Sequence, residues 1–140
     1  MALRPLTLAD VTDAYVGWMN DPEVNRFMET RHAIHDRASI ELFVADKAAS
    51  PADHLLAIVE LDGDRHAGNL KIGPVDARHR SAWLSYFIGE RSAWGRGLAG
   101  EAVALAVRLA FERLNLAKLN AGVYAPNIAS ARVLEKAGFL

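Results

Sequence analysis

The chain has 140 residues, of which 51% are apolar and 24% charged, enough for one domain with its own core and too apolar for a disordered chain. Sixteen Lys and Arg against seventeen Asp and Glu leave a net charge of −1, so bulk electrostatics give no reason to bind nucleic acid or an anionic membrane. With no cysteine, disulfides, thiolate zinc sites and a cysteine nucleophile are excluded, and no metal is expected.

In chain order, residues 3–6 read as a short first strand. Thr7 to Asp10 reads as a helix N-cap, with Asp10 as the acid of a capping box. A helix is predicted over 8–19, with Val11, Ala14, Tyr15 and Trp18 on one face, ended by Asn20-Asp21-Pro22. Residues 23–28 read as one more helical turn. A polar stretch over 29–32 precedes a helix over 36–49, closed by Ser50-Pro51. Strands are expected over 54–61, 67–75 and 81–88. The first two are joined by the hairpin signal Asp62-Gly63-Asp64, and the second is weakened by Gly68, Gly73 and Pro74. A helix over 98–114, a strand over 118–124 and a helix over 128–137 complete the chain. There is no repeat or linker, so one α/β domain over 1–140 is predicted. No apolar run approaches the roughly 18 residues of a membrane span. The opening MALRPLTLAD lacks a signal-peptide core, and a cytoplasmic location is expected.

The stretch 83–101, WLSYFIGERSAWGRGLAGE, carries the chemistry. An apolar strand runs into a loop with glycines at 89, 95, 97 and 100, and then into an apolar helix. Glycines admit a ligand close to the backbone, and the first N–H groups of the helix point at it with the dipole's positive end behind them. A diphosphate suits such a cradle. Gly95-Arg-Gly97-Leu-Ala-Gly100 is also a literal dinucleotide fingerprint, but it follows an antiparallel meander rather than a first strand. The residues over 115–124 supply no acid for a ribose. Structural glycines without a ligand are a further reading.

The loop Trp94-Gly95-Arg96-Gly97-Leu98-Ala99 and the segment from Asn127 through Ser130 to Gly138-Phe139 resemble the GNAT superfamily of acyl-CoA N-acyltransferases. Trp94 and Glu101-Ala102 are similar to its branch of ribosomal-protein N-terminal (RimJ/RimL-like) and amino-sugar acetyltransferases. The resemblance implies a mixed, mostly antiparallel sheet flanked by helices, with a splayed strand pair. It implies acetyl-CoA as donor and direct attack by a primary amine, on a small molecule such as an amino sugar or at a protein N-terminus. Backbone groups around Tyr86, Phe87 and Ile88 are expected to hold the pantetheine arm. Backbone N–H groups over Gly95, Arg96, Gly97, Leu98, Ala99 and Gly100 are expected to hold the pyrophosphate, with the Arg96 side chain either adding charge there or standing as a solvated loop cation. Asn127 serves as helix cap, as contact to the arm, or both. Many relatives carry a proton-donating tyrosine at the position of Leu134 and a glutamate at that of Trp83. Here Ser130 takes the place of thiolate donor, with a helix-turn serine as the plainer reading.

For the base, Glu90, His79, Glu60 and His32 stand open, with Glu90 at the end of the strand before the loop. The form Trp18-x-Asn20-Asp21-Pro22-Glu23-Val24 resembles acetyltransferases of nucleotide-linked amino sugars and also protein N-terminal acetyltransferases. It makes Arg26, Arg31 and His32 candidates to meet the acceptor, against the alternative of solvated surface charges. A non-catalytic acyl-CoA-binding module is the rival class, and Trp83 and Leu134 favour it. Relatives continue past Gly138-Phe139 with a hairpin that pairs with the strand here over 118–124. The resemblance therefore implies a domain truncated after that motif, an open acceptor side, and a sheet edge covered by a second copy in a homodimer.

Overall fold

The computed structural model describes residues 1–28, 30, 33–122 and 126–139. One five-stranded sheet is ordered β1 (Ala2–Pro5), β2 (His54–Glu60), β3 (Arg65–Ile72), β4 (Ser81–Ile88) and β5 (Lys118–Ala121). The first three pairings are antiparallel, and β4 pairs with β5 in parallel. The expected mixed, mostly antiparallel sheet is therefore the one observed. The β2–β3 turn is the expected Asp62–Asp64, with Gly63 at φ 79° and Asp64 at φ 49°. The strand expected over 67–75 begins two residues earlier and stops at Ile72. Gly73 follows with φ 157°, where a Cβ would lie 2.4 Å from Asp53 Oδ1. For the strand expected over 118–124, residues 123 and 124 lie outside the described residues.

The helix expected over 8–19 is two pieces. Leu8–Asp10 is a single 3-10 turn, and α1 (Asp13–Asn20) starts after Thr12, whose hydroxyl accepts the Tyr15 N–H. Asp10 does serve the capping box, accepting the Thr7 N–H at 2.8 Å, and Arg4 grips the same carboxylate. The second cap at Thr12 rotates the face by the width of that break. Val11, Tyr15, Trp18 and Met19 are buried, and Ala14, expected among them, is exposed. The turn expected over 23–28 is α2 (Pro22–Asn25), capped by Asp21. α3 (Arg37–Ala49) is capped by Asp36, α4 (Leu98–Arg108) runs on into a wider turn over Leu109–Arg113, and α5 (Ile128–Lys136) is capped by Asn127.

Strand alternation sorts the sheet into two cores. Leu56, Ile58, Leu70, Ile72, Ala82 and Leu84 face α4 and α5, packing on Val103, Ala106 and Leu134. Ala57 and Val59 face the other way, onto Tyr15, Trp18 and Met19 of α1 and Ile40 and Val44 of α3, with Phe87 of β4 against them. Each core shields one side of the sheet, and the site forms where the sheet opens between them.

Candidate active site

The opening is in the β4–β5 pairing. It runs from Ser81↔Lys118 to Leu84↔Ala121 and stops, while β4 continues against β3 as far as Ile88↔Gly68. Among the described residues, 85–88 thus have a strand on one side only. Gly73 N–H donates to Trp83 O, and Gly89 N–H donates to Ala67 O, so the odd positions of β4 direct their backbone groups at β3. Alternation directs those of Tyr86 and Ile88 into the gap. The Ile88 carbonyl is taken there by the indole N–H of Trp94, at 2.8 Å.

The gap is part of a cleft of about 1370 Å³ that runs through the sheet from one face to the other. On the α4–α5 face its wall is Gly95, Gly97 and the first turn of α4, Leu98-Ala99-Gly100, with Trp94 beside them. Gly97 caps α4 at φ 76°, and Gly95 has φ 75°. A Cβ at Gly95, Gly97 or Gly100 would meet no atom within 4 Å. The first N–H to bond back into the helix is that of Glu101, to Gly97 O at 3.1 Å. The earlier N–H groups of this turn have no intrahelical partner, which is what an anion needs. Gly89 belongs to another category. It is buried, and a Cβ there would lie 2.1 Å from the Trp18 ring, so packing rather than ligand approach requires this glycine.

Asn127 and Ser130 line the same cleft from the start of α5. Asn127 Oδ1 accepts the Ser130 N–H at 3.3 Å, so the capping reading holds, and its amide NH2 remains for the cleft. Ser130 Oγ lies 2.6 Å from Tyr86 Oη across the gap. Burial pushes the Tyr86 phenol upward, partly offset by that hydrogen bond.

On the opposite face the floor is Asn69 and Lys71 of β3 with Ser85 and Phe87 of β4, walled by α1, α2 and α3. Buried Asn69 accepts at Oδ1 from His66 Nε2 at 2.7 Å. Trp18 holds this wall together. Its ring stacks on Tyr15 at 6.0 Å and meets His66 and Phe87 edge-on at 5.0 and 6.3 Å. The Tyr15 phenol is pushed up to about 12 by burial and is neutral across the physiological range.

With this geometry the whole chain, residues 1–140, matches the profile of the acetyltransferase (GNAT) domain. The chain belongs to the GNAT acetyltransferase family. As a GNAT enzyme it is an acetyl-CoA-dependent N-acetyltransferase, and the side of β4 left unpaired among the described residues, the open glycines and the unpaired α4 N–H groups suit the pantetheine arm and diphosphate of that donor. Among similar proteins, the "Probable N-acetyltransferase YjcK" of Bacillus subtilis (strain 168) is 45% identical over 60 residues, 43% of this chain and 33% of that protein. The "Uncharacterized N-acetyltransferase p20" of Bacillus licheniformis is 27% identical over 142 residues, 99% of this chain and 78% of that one. The fold superposes on spermidine N-acetyltransferase from Vibrio cholerae, solved with CoA and spermine. The TM-score is 0.88 at 20% identity, covering 99% of this chain and 80% of that one. It also superposes on Mycobacterium smegmatis RimJ in complex with CoA-disulfide, with a TM-score of 0.81 at 25% identity, covering 97% and 68%.

Within this GNAT domain the cleft gathers Tyr86, Phe87, Ile88, Trp94, Gly95, Gly97, Leu98, Ala99, Gly100, Asn127, Ser130 and Arg26. Phe87 enters by its side chain, since its backbone faces β3. Arg96 and Glu90 are not in the lining. Arg96 donates to Ser92 O at 3.4 Å and lies 4.0 Å from the Glu60 carboxylate, which Arg65 also holds. The Glu90 carboxylate accepts from Ser92 Oγ at 3.3 Å. His79 is paired with Asp76 at the β3–β4 turn. Arg31 and His32 lie outside the described residues. The sequence reading missed Asn69, Lys71, Glu23 and His35, all of which line the cleft. For Asn69 and Lys71 a signal existed: two polar residues alternate with Gly68, Leu70 and Ile72 in the second half of β3.

Proposed function

We propose that this enzyme acetylates a single primary amine carried on a neutral or anionic body, of which an amino sugar linked to a nucleotide is the fitting class. Charge on the acceptor face carries the reading. Among the described cleft residues the one carboxylate is Glu23 on α2, while the floor presents Lys71 and the wall Arg26 over the Phe27 ring. The Lys71 ammonium has no protein partner among the described residues, so it is available to an acceptor's anionic group. A polyamine would meet this cation with several of its own, and such like-charge contact disfavours it. The likeness to the spermidine enzyme at 20% identity is one of fold.

The amine must lose a proton. Of the imidazoles and carboxylates considered from sequence, none of the described ones lines the cleft, whereas His35 does. Its Nε2–H donates to Thr30 O at 2.9 Å, which leaves Nδ1 with its lone pair. Its backbone N–H is fixed on Asn20 Oδ1 at 2.8 Å. In this reading His35 accepts the proton, directly or through water.

The deciding measurement is thiol release from acetyl-CoA over nucleotide amino sugars, peptides with free N-termini, and polyamines. The nucleotide amino sugars should give the highest kcat/KM. A polyamine in first place would overturn the acceptor reading, and tight acetyl-CoA binding without release for any amine would favour the non-catalytic module. With the best acceptor, His35→Gln should lower kcat/KM by about 10²-fold at the pH optimum. An unchanged pH profile would remove His35 as the base.

A further inference from the structure

The Tyr86–Ser130 contact is more than a cap on a helix turn. It joins two elements across the open gap, and among the described residues neither hydroxyl has another partner. When the acetyl group leaves CoA, the sulfur must gain a proton. A serine hydroxyl is a far weaker acid than a thiol and cannot supply it unaided. A phenol, with an ordinary pKa of about 10, is close to a thiol at about 8.5. Leu134, where relatives place a phenol, is 6% exposed within the α4–α5 core and has no proton to give. Among the described residues, the phenol at Ser130 instead comes from the opposite wall, on β4, with Tyr86 Oη 2.6 Å from Ser130 Oγ.

We propose that Tyr86 is the proton reservoir behind Ser130, so that the family's missing phenol is replaced from the other side of the cleft. This rests on the acetyl-transfer reading of the site. The amine nitrogen forms the C–N bond to the thioester carbonyl carbon, and the C–S bond breaks with its electron pair on sulfur. The sulfur takes the proton of Ser130, Ser130 takes that of Tyr86, and the surplus proton of the amine passes to His35 and from there to solvent. The phenolate left on Tyr86 regains a proton from solvent through the open cleft, so one proton leaves nitrogen and one reaches sulfur. A phenol is protonated at neutral pH without help, so the reservoir stays full, and the hydrogen bond with Ser130 offsets part of the upward shift that burial causes. Tyr86 acts through Ser130 and is a positioning residue rather than a group that touches the reacting atoms.

The test needs no acceptor. CoA labelled with carbon-13 beside its sulfur is bound to the protein, and its thiol is titrated by NMR. Hydrogen bonds from the pair to the thiolate should hold the bound thiol about one unit below free CoA. Tyr86→Phe should raise it back toward the free value. Ser130→Ala should do so at least as far, and the double variant should add nothing to Ser130→Ala alone. Unchanged CoA affinity of Tyr86→Phe, by calorimetry, confirms that its site is intact. A thiol unmoved by Tyr86→Phe but moved by Ser130→Ala would show that Ser130 works alone and overturn the proposal. A thiol moved by neither, or by the two additively, would overturn it as well. In turnover, Tyr86→Phe should lower kcat by about 10²-fold with the KM for acetyl-CoA unchanged. If the wild-type protein turns over no amine, the transfer reading fails by itself, and the titration still decides whether the pair serves the sulfur.

Discussion

The two halves of the cleft are built on different principles. In the proposed reading, the donor half uses backbone: the gap-facing groups of Tyr86 and Ile88, the α4 turn after Gly97, and the cap of α5 at Asn127. The acceptor half uses side chains that arrive from separate segments, with Tyr15, Glu23 and His35 on the wall and Asn69 and Lys71 on the floor. A backbone cradle needs a short run of residues with particular conformations, so one local motif encodes it. A side-chain wall needs only that distant segments meet, and no local pattern records the meeting. One half can thus serve any reaction with the same donor, while the other chooses the acceptor.

The sharpest way to break this contrast is Gly97→Val. No protein atom lies within 4 Å of the new Cβ, so the side chain enters the cradle itself, and the backbone must accept φ 76° with a branched residue. Acetyl-CoA affinity should fall at least about 100-fold, or about 2.7 kcal/mol, with the fold retained. Titration calorimetry checks it, and wild-type affinity would remove the loop from the donor site.

The next largest effect should fall on the seam between the halves. Gly89→Ala places a methyl group 2.1 Å from the buried Trp18 ring. Overpacking there should cost about 2 kcal/mol. That should lower Tm by several degrees, on the order of 4 °C per kcal/mol for a domain of this size. An unchanged Tm would mean that Trp18 moves aside freely and that the halves are not wedged together. Within the acceptor half, Lys71→Glu should raise the KM of an anionic acceptor about tenfold, about 1.4 kcal/mol. It should leave acetyl-CoA affinity alone. Equal losses on both substrates would show that Lys71 does not belong to one half.

What was legible in the sequence follows the same division. The strand over 81–88, the glycine loop and the α5 cap could be read because each is a local pattern. Gly89 was legible as a glycine but not for its reason, since its neighbour Trp18 is 71 positions away and only the fold brings them together. The helix expected over 8–19 failed because two capping residues, Thr7 and Thr12, stand five apart, and the structure uses both. Tyr86 was chosen for its backbone. The value of its hydroxyl depends on Ser130, which is 44 residues on. Lys71 and Asn69 left a trace as polar alternation in a buried strand, but which face they share depends on the register with β2 and β4.

One part of the acceptor half is locally encoded, and it supplies the smallest effect. Arg4, Thr7 and Asp10 form a closed group at the entry to α1. The Asp10 carboxylate accepts from both Arg4 amines, at 2.8 and 2.7 Å, and from the Thr7 N–H. The hydrogen bond from Arg4 is the main reason that the Asp10 carboxyl is held down at about 2, against an ordinary 3.8. A depressed carboxyl stabilises the fold above its unfolded pKa, and that contribution is lost as pH falls through the folded value. The loss should therefore run from about pH 4 down to about pH 2. Arg4 is 43% exposed on its side chain, so solvent screening holds the stabilisation to about 1 kcal/mol or less. Asp10→Asn keeps an acceptor for Thr7 but loses the charge. Its Tm should lie a few degrees below wild type near neutral pH, and the two should converge as acid protonates the wild-type carboxylate. Calorimetric scans across that range decide it. Parallel curves down to about pH 2 would mean that the carboxylate's charge does no work at this turn. The acceptor half would then have no locally written support, and the contrast between the halves would be sharper still.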